Sequence, residues 1–191
     1  MISSSNRGPM ARFTDAHIFA ILDLINTRKA VSRVTMVEET GLGEGSVRSM
    51  LKVLTEWEWV TITRRGVQLT EFGRSSFLGF GLEYVQIYNR KYAVGVYQQG
   101  IIVRGGAKDV TNGMKQRDMA VRSGAEGASI FIVKEGKMIF PANWDLDEQD
   151  PKFASELRAT GMAEGDALIL VGADTELTAK VAAAAVGLAM R

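Results

Sequence analysis

Two short stretches between residues 46 and 65 carry side chains that can donate hydrogen bonds to bases or phosphates. These side chains are Ser46, Arg48, Ser49, Lys52, Arg64 and Arg65. An arginine offers two parallel N–H groups that match a guanine edge or a phosphate, whereas lysine and serine donate singly. The residue types therefore predict contacts to duplex DNA, and Arg48 is the one best suited to a bidentate guanine contact.

The segment that holds these side chains shows three periodicities in succession. Residues 34–40 have helical spacing, and Gly41 supplies a residue that tolerates a positive φ and can end the helix. Helical spacing resumes at Glu44, with an apolar stripe of Val47, Met50, Leu51 and Leu54. From Val60 the apolar residues alternate with polar ones on both sides of an arginine pair, which indicates a β-hairpin.

This order of helix, glycine turn, helix and arginine-tipped hairpin resembles the winged helix-turn-helix domains of prokaryotic transcription regulators. The resemblance covers residues 13 to about 80 and implies a second helix in the major groove and a wing against the backbone or minor groove. One departure is Trp57, where such domains usually carry a small residue. The residues that carry the resemblance are Gly41-Leu42-Gly43, Ser46-Val47-Arg48 with Leu51 and Leu54, and Leu69-Thr70-Glu71-Phe72-Gly73.

The charge of the chain limits how tightly one copy would hold DNA. Lys and Arg number 23 against 22 Asp and Glu, so the net charge is only +1. A protein that binds phosphates is usually more basic, so the local cations matter and dimerisation is expected to strengthen binding. The alternative is that these residues are solvated charges on a small helical domain.

Composition and pattern predict two domains in a protein of mixed α+β or α/β class. The chain of 191 residues contains no cysteine, which excludes disulfides and thiol catalysis and fits a cytoplasmic protein. No apolar run is long enough to span a membrane, and the first residues do not resemble a secretory signal. The predicted organisation is a flexible arm over 1–12, a winged-helix DNA-binding domain over 13–80, a connector over 81–91, and an effector-binding or dimerisation domain over 92–191.

The second domain is predicted as an α/β sheet with the element order ββαββαβα. Its first two strands, residues 92–97 and 101–103, are expected to form a hairpin around a Gln-Gln-Gly turn. The other elements are expected to be a helix over 110–123, strands over 128–133 and 138–140, a helix over 151–160, a strand over 166–171 and an Ala-rich helix over 175–190.

Two glycine-containing stretches of this domain are candidate ligand sites. Adjacent glycines after a strand allow close approach of an anion, and a helix N-terminus after a buried strand can do the same. Strand termination and helix capping would explain the same residues without any ligand. The residues concerned are Arg104, Gly105, Gly106 and Lys108 in the first stretch and Gly172, Asp174 and Thr175 in the second.

Metal and cofactor chemistry find little support in the sequence. Asp145, Asp147, Glu148 and Asp150 form an acidic cluster, but the spacing lacks the glycine and the terminal Glu of a calcium loop, so a solvated turn is predicted. His17 is the only histidine and has no partner in the sequence pattern. No metal ligand set and no complete nucleotide fingerprint are present, so no cofactor is predicted.

The stretches GASIFIVKEGKMIFP and EGDALILVGAD, followed by an Ala-rich helix, also resemble an uncharacterised archaeal family that pairs a winged helix with an α/β domain of unknown ligand. The leading hypothesis is a sequence-specific transcription regulator, not an enzyme, whose second domain senses a small-molecule effector or forms a homodimer. The alternatives are an enzyme in residues 92–191 tethered by the winged helix, and a winged helix that docks a protein.

Overall fold

The computed structural model describes residues 13–141 and 144–191, so the predicted arm over 1–12 lies outside the described residues. Helices dominate the first part of the described chain, and a two-stranded hairpin interrupts them. Its elements are α1 (Asp15–Arg28), α2 (Arg33–Thr40), α3 (Glu44–Glu56), β1 (Val60–Thr63), β2 (Gly66–Leu69) and α4 (Glu71–Gly79).

The second part is built on one six-stranded sheet in the order β3-β4-β8-β5-β6-β7. Every strand pairing among the described residues is antiparallel, so the class is α+β rather than α/β. A short 3₁₀ turn, Gly106–Asp109, follows β4. The elements are β3 (Leu82–Val85), β4 (Tyr97–Val103), α5 (Met114–Arg122), β5 (Gly127–Lys134), β6 (Lys137–Phe140), β7 (Trp144–Asp145), α6 (Leu146–Gln149), α7 (Pro151–Ala159), β8 (Ala167–Ala173) and α8 (Glu176–Ala189).

The predicted hairpin around Gln-Gln-Gly is wrong, because these residues lie inside β4. The Gln99 amide is buried but satisfied, since its Nε2 donates to the carbonyl oxygens of Val85 at 3.1 Å and Gly100 at 2.9 Å. The two strands that pair with β4 are β8 and β3, and β3 lies in the predicted connector. The helix predicted from Val110 begins only at Met114, because Gly113 has a φ of +76°.

Helix α8 lies at the centre of the molecule, between the sheet and α1. Ala182, Ala183 and Ala184 are fully buried, and their small side chains let the helix approach its neighbours closely. One continuous apolar cluster runs from α1 across α8 to the face of the sheet that includes Ile101 and Ile169. The helical part and the sheet part therefore share a core.

The opposite face of the sheet has its own apolar cluster. Successive residues of β4 and β8 alternate between the two clusters, so that Ile102 and Leu168 point to this second one. Phe153 of α7 stacks on Tyr92 with ring centroids 4.6 Å apart, and both rings contact Phe131. The sheet is therefore covered on both faces, as an all-buried strand such as β8 requires.

Replacing Gly172 by alanine is expected to destabilise the protein severely. A Cβ at this position would lie 1.5 Å from the carbonyl oxygen of Val94, a backbone atom that cannot move without disturbing the loop before β4. The free energy of unfolding, measured by urea denaturation, should fall by about 3 kcal/mol or more.

The matched control is Gly45→Ala in α3, where a Cβ would meet no atom within 4 Å. Here alanine should raise the free energy of unfolding by about 0.5–1 kcal/mol, because glycine is the poorer helix residue. Equal stability of the two variants would show that the backbone at Val94 can move to make room for a Cβ at Gly172.

Candidate nucleic-acid interface

Helices α2 and α3 are separated by a tight turn that depends on glycine. Gly41 ends α2 in the left-handed conformation with a φ of +60°, and a Cβ there would lie 2.7 Å from Leu177 Cδ2. Gly43 is the N-cap of α3 and offers no side chain to accept from the first turn. The first N–H groups of α3 are therefore available to an external acceptor such as a phosphate.

Helix α3 buries one side and exposes the other, as predicted. Its buried stripe is Val47, Met50, Leu51 and Leu54, each at most 2% exposed. Arg48, Ser49 and Lys52 are exposed, and Ser46 is half-buried. The apolar stripe thus fixes which side chains of the helix face solvent.

The exposed donors of α3 are only weakly engaged within the protein. Among residues 13–141 and 144–191, no carboxylate lies within 4.0 Å of the Arg48 guanidinium. Lys52 Nζ lies 3.9 Å from Glu56 Oε1, and this pair is highly exposed and therefore weak. Ser49 Oγ donates to the Gly45 carbonyl at 2.9 Å. Arg48 and Lys52 can consequently turn towards an external anion at little cost.

The hairpin β1–β2 presents Arg64 and Arg65 at its tip. Thr63 pairs with Gly66 and leaves the two arginines as the loop, which Thr63 Oγ1 closes by accepting from Arg65 N at 3.1 Å and donating to Gly66 O at 2.9 Å. Both arginines are exposed, and within the described part of the chain neither has a carboxylate within 4.0 Å. The tip therefore carries two uncompensated positive charges.

The base of the hairpin is fixed to the helices on both sides. Val31, just before α2, pairs with Val67 through two backbone hydrogen bonds of 3.0 and 2.8 Å. At the other end, Thr70 caps α4 by accepting from Gly73 N at 2.9 Å, while its own N–H donates to the Trp59 carbonyl at 3.0 Å. These bonds hold the arginine tip at a defined position relative to α3.

Trp57 does not disturb the turn that leads from α3 to β1. Its φ is −80°, which any residue adopts, and the left-handed conformation falls on Glu58 with a φ of +60°. The Trp57 ring packs edge-on against Trp59 at 5.5 Å. A small residue is therefore not required at this position.

The first predicted ligand stretch is occupied by a carboxylate of the protein itself. Arg104 Nη1 donates to Asp166 Oδ2 at 2.7 Å, and the Gly105 N–H donates to Asp166 Oδ1 at 2.9 Å. Gly106 is buried, and a Cβ there would lie 2.7 Å from a methyl group of Val103. Burial alone would raise the pKa of Asp166, but hydrogen bonds from Ala163 N, Gly105 N and Arg104 outweigh it and lower that pKa. The predicted anion position thus holds an internal anion.

The second predicted ligand stretch also has internal roles. Gly172 provides the close backbone approach to Val94, and Thr175 is the N-cap of α8, accepting from Thr178 N at 3.1 Å. Asp174 is exposed, and its carboxylate beside Glu126 raises the pKa of the Glu126 carboxyl. The predicted ligand contacts of these residues stay predictions.

Lys108, by contrast, lines a cleft of about 370 Å³ between the Gly106–Asp109 turn, α5 and the end of α8. Lys115 is close to Lys108 in sequence, but part of the cleft wall comes from α8, more than sixty residues further along the chain. No local sequence pattern could indicate this cleft. The cleft is lined by Lys108, Asp109, Lys115, Gln116, Met119, Val186, Ala189, Met190 and Arg191.

The acidic cluster is neutralised by ion pairs. Asp145 accepts from Lys137 Nζ at 2.6 Å, Asp150 accepts from Lys91 Nζ at 2.7 Å, and Asp147 is bound by Arg158. Within the ranges that the structure describes, no group of three or more His, Cys, Asp or Glu side chains could hold a metal ion. These carboxylates have structural roles.

His17 also has a local structural role. Its Nδ1 lies 2.9 Å from Thr14 Oγ1 at the start of α1, and burial lowers the pKa of the ring.

Asp147 is expected to make stability depend on acid pH. Hydrogen bonds from Arg158, aided by the Met138 N–H, lower the pKa of Asp147 from its usual 3.8 to about 2. Because the folded-state pKa is lowered, the stabilisation is complete above the unfolded value and is lost as pH falls from about 4 to about 2. Urea denaturation across this range should show a smaller loss for Asp147→Asn than for the wild type.

Glu148→Gln is the control, because Glu148 is largely exposed and its carboxylate is 3.9 Å from Lys137 Nζ. Its acid profile should follow that of the wild type. An unchanged acid profile in Asp147→Asn would contradict the assignment.

Both the fold and the sequence of this chain are similar to those of known proteins. The α+β fold is similar over nearly its whole length to the hypothetical protein PH0730 from Pyrococcus horikoshii OT3, with a TM-score of 0.73 and 26% sequence identity over 94% of this chain and 93% of that one. Residues 94–190 match the family described as Domain of unknown function (DUF4443), and the chain belongs to this family. No curated protein matches the chain.

The family match begins just before β4 and ends in the last turn after α8, so it contains the cleft at Lys108 but not the exposed face of α3. In the described ranges, none of the helices has the length and apolar character needed to cross a bilayer.

Proposed function

We propose that the protein is a sequence-specific, DNA-binding transcription regulator. In this proposal residues 13–80 form a winged helix-turn-helix domain, residues 81–91 connect the two parts, and residues 92–191 bind an effector or form a homodimer. The observation that carries the proposal is the exposed donor side of α3, with Arg48 and Lys52, beside a hairpin tipped by Arg64 and Arg65.

The chemistry of each element suits a different part of a duplex. A helix fits the major groove, where Arg48 could donate both N–H groups to the O6 and N7 atoms of guanine. A short arginine-tipped hairpin suits the adjacent phosphates or the minor groove, where contacts position the protein without reading sequence. Helix and hairpin together would supply both specificity and register.

The charge balance supports a modest affinity for a single copy. Glu44 and Glu56 lie on the same helix as Arg48 and Lys52, so the exposed face of α3 has no net charge by itself. The uncompensated charge is concentrated at the hairpin tip. Two copies bound to a palindromic site would double the number of phosphate contacts, which is why a homodimer belongs to the proposal.

Docking of another protein is the second candidate, and one observation favours it. Ile62 of β1 and Phe72 of α4 are 59% and 60% exposed, so the hairpin and the helix that follows it each present a large apolar side chain to solvent. A protein-docking surface would bind its partner through these residues, and the protein would show no salt-dependent retention on DNA.

An enzyme in residues 92–191 is the remaining alternative. Three carboxylates of this part are engaged in ion pairs: Asp147 with Arg158, Asp150 with Lys91, and Asp166 with Arg104. No contact in the described ranges favours a particular reaction.

Replacing Arg48 by alanine is expected to weaken binding to a selected duplex about tenfold or more, since one bidentate base contact is worth about 1–3 kcal/mol. The duplex would be selected from a random library by the wild-type protein, and affinity measured by fluorescence anisotropy at fixed salt. Arg117→Ala in α5 is the control, because Arg117 is exposed and lies outside α3 and the hairpin. Unchanged affinity in both Arg48→Ala and Lys52→Ala would remove the assignment of α3 as the reading helix.

Replacing Arg64 and Arg65 together by alanine is expected to weaken binding to all duplexes alike. Each lost phosphate contact should reduce the slope of log affinity against log salt by about 1. The measurement is anisotropy over a salt series, with Arg117→Ala again as control. A salt slope equal to that of the wild type would show that the hairpin does not touch the DNA.

A further inference from the structure

We propose that the cleft at the end of α8 binds a small organic acid, with its carboxylate at the cationic rim and its hydrocarbon part on the apolar wall. The cleft has a volume of about 370 Å³, within the range of small-molecule sites. It lies between the Gly106–Asp109 turn, α5 and the last turn of α8, all inside the family-matched region. The proposal rests on the proposed function only for the effect of the ligand on DNA binding.

The rim of the cleft has an excess of positive charge. The side chains that line the cleft include three cations, Lys108, Lys115 and Arg191, and one carboxylate, that of Asp109. In the part of the chain that the structure describes, none of the three cations has a carboxylate within 4.0 Å, in contrast to Lys91, Lys137 and Arg158 elsewhere. An anion would therefore gain charge-assisted hydrogen bonds without first breaking an ion pair.

One rim cation and one polar wall residue are held in place by the backbone. Arg191 Nη2 donates to the Gly81 carbonyl at 2.7 Å, which leaves the other guanidinium N–H groups for a ligand. Gln116 is buried, and its Nε2 donates to the Asp109 carbonyl at 2.9 Å, which joins α5 to the 3₁₀ turn. Arg191 and Gln116 are consequently held in place before any ligand arrives.

The apolar wall of the cleft favours an anion that carries a hydrocarbon chain. Met119, Val186 and Met190 line the cleft, and methionine side chains adapt their shape to the group that they meet. The Met190 methyl group would lie 3.3 Å from a Cβ at Gly106, so it spans from α8 to the 3₁₀ turn. Among the residues that the structure describes, no aromatic side chain lines the cleft, so a nucleobase would find no ring there to stack on. An inorganic anion would leave the apolar wall exposed, whereas a hydrocarbon chain would cover it.

Helix α8 connects this cleft to the turn before α3. Val186 and Met190 at its end line the cleft, and Leu177 in its first turn lies against Gly41. A ligand that shifts the end of α8 would thus press on the turn that sets the position of α3. This contact gives an organic acid a route to change DNA affinity, provided that it binds one arrangement of α8 better than another.

Isothermal titration calorimetry of the full chain with octanoate tests the site without DNA. We expect saturable binding of octanoate, no binding of octylammonium because the rim is cationic, and at least tenfold weaker binding of inorganic phosphate because it lacks a hydrocarbon part. The double substitution Lys108→Gln and Lys115→Gln should weaken octanoate binding at least tenfold. The matched control is the double substitution Lys134→Gln and Lys152→Gln, since both lysines are exposed and lie outside the cleft.

A second variant tests the apolar wall of the cleft without changing the charge of the protein. Ala189 is exposed and lines the cleft, so Ala189→Phe should fill the apolar wall without entering the core and should abolish octanoate binding. Circular dichroism melting establishes that each variant is folded. Absence of octanoate binding to the wild type, or equal binding to all variants, would overturn the proposed site.

Anisotropy with the selected duplex, with and without octanoate, separates this proposal from the proposed function. A change in DNA affinity that is lost in Ala189→Phe supports the effector role, and an unchanged affinity at saturating octanoate overturns that role. Octanoate binding by a protein that binds no duplex would overturn the DNA-binding proposal and leave the organic-acid site intact.

Discussion

The packing of α8 between the sheet and α1 is the constraint on which the rest of the structure depends. The helix is built largely of alanine, and Ala182, Ala183 and Ala184 are fully buried between two neighbours. A larger side chain at these positions would push α1 away from the sheet and divide the apolar cluster that α1, α8 and the sheet share. Because this cluster is continuous, the helical part and the sheet part are expected to move as one body rather than around a flexible connector.

Polar contacts strengthen the same interface. The Tyr84 hydroxyl donates to the Lys180 carbonyl at 2.9 Å, and Lys180 Nζ lies 3.6 Å from Asp23 of α1 and 5.1 Å from the centre of the Tyr84 ring. Burial raises the pKa of both Asp23 and Tyr84, and Lys180 opposes this shift at Asp23. These groups tie β3, α8 and α1 together.

The local patterns of the chain predicted the elements well where one periodicity was strong. The buried stripe of α3, the hairpin around Arg64 and Arg65, and the start of α7 at Pro151 are confirmed, because each depends on neighbouring residues alone. The prediction of a hairpin at Gln99 was wrong because this residue lies inside β4. Its side-chain amide donates to Val85 of the neighbouring strand β3. The expected anion at Gly105 is the carboxylate of Asp166, about sixty residues away, and the apolar wall of the cleft comes from α8. Long-range pairing of this kind leaves no local signal, so it could not be predicted.

The central claim is that α3 and the β1–β2 tip form one DNA-binding face on this single core. Its most direct test is nuclear magnetic resonance of the full chain titrated with a short duplex. The account predicts chemical-shift changes at the backbone amides of residues 43–52 and 64–66 and at the Arg48 side chain, with small shifts in the sheet. Changes confined to the sheet, or no changes at any duplex concentration, would contradict it.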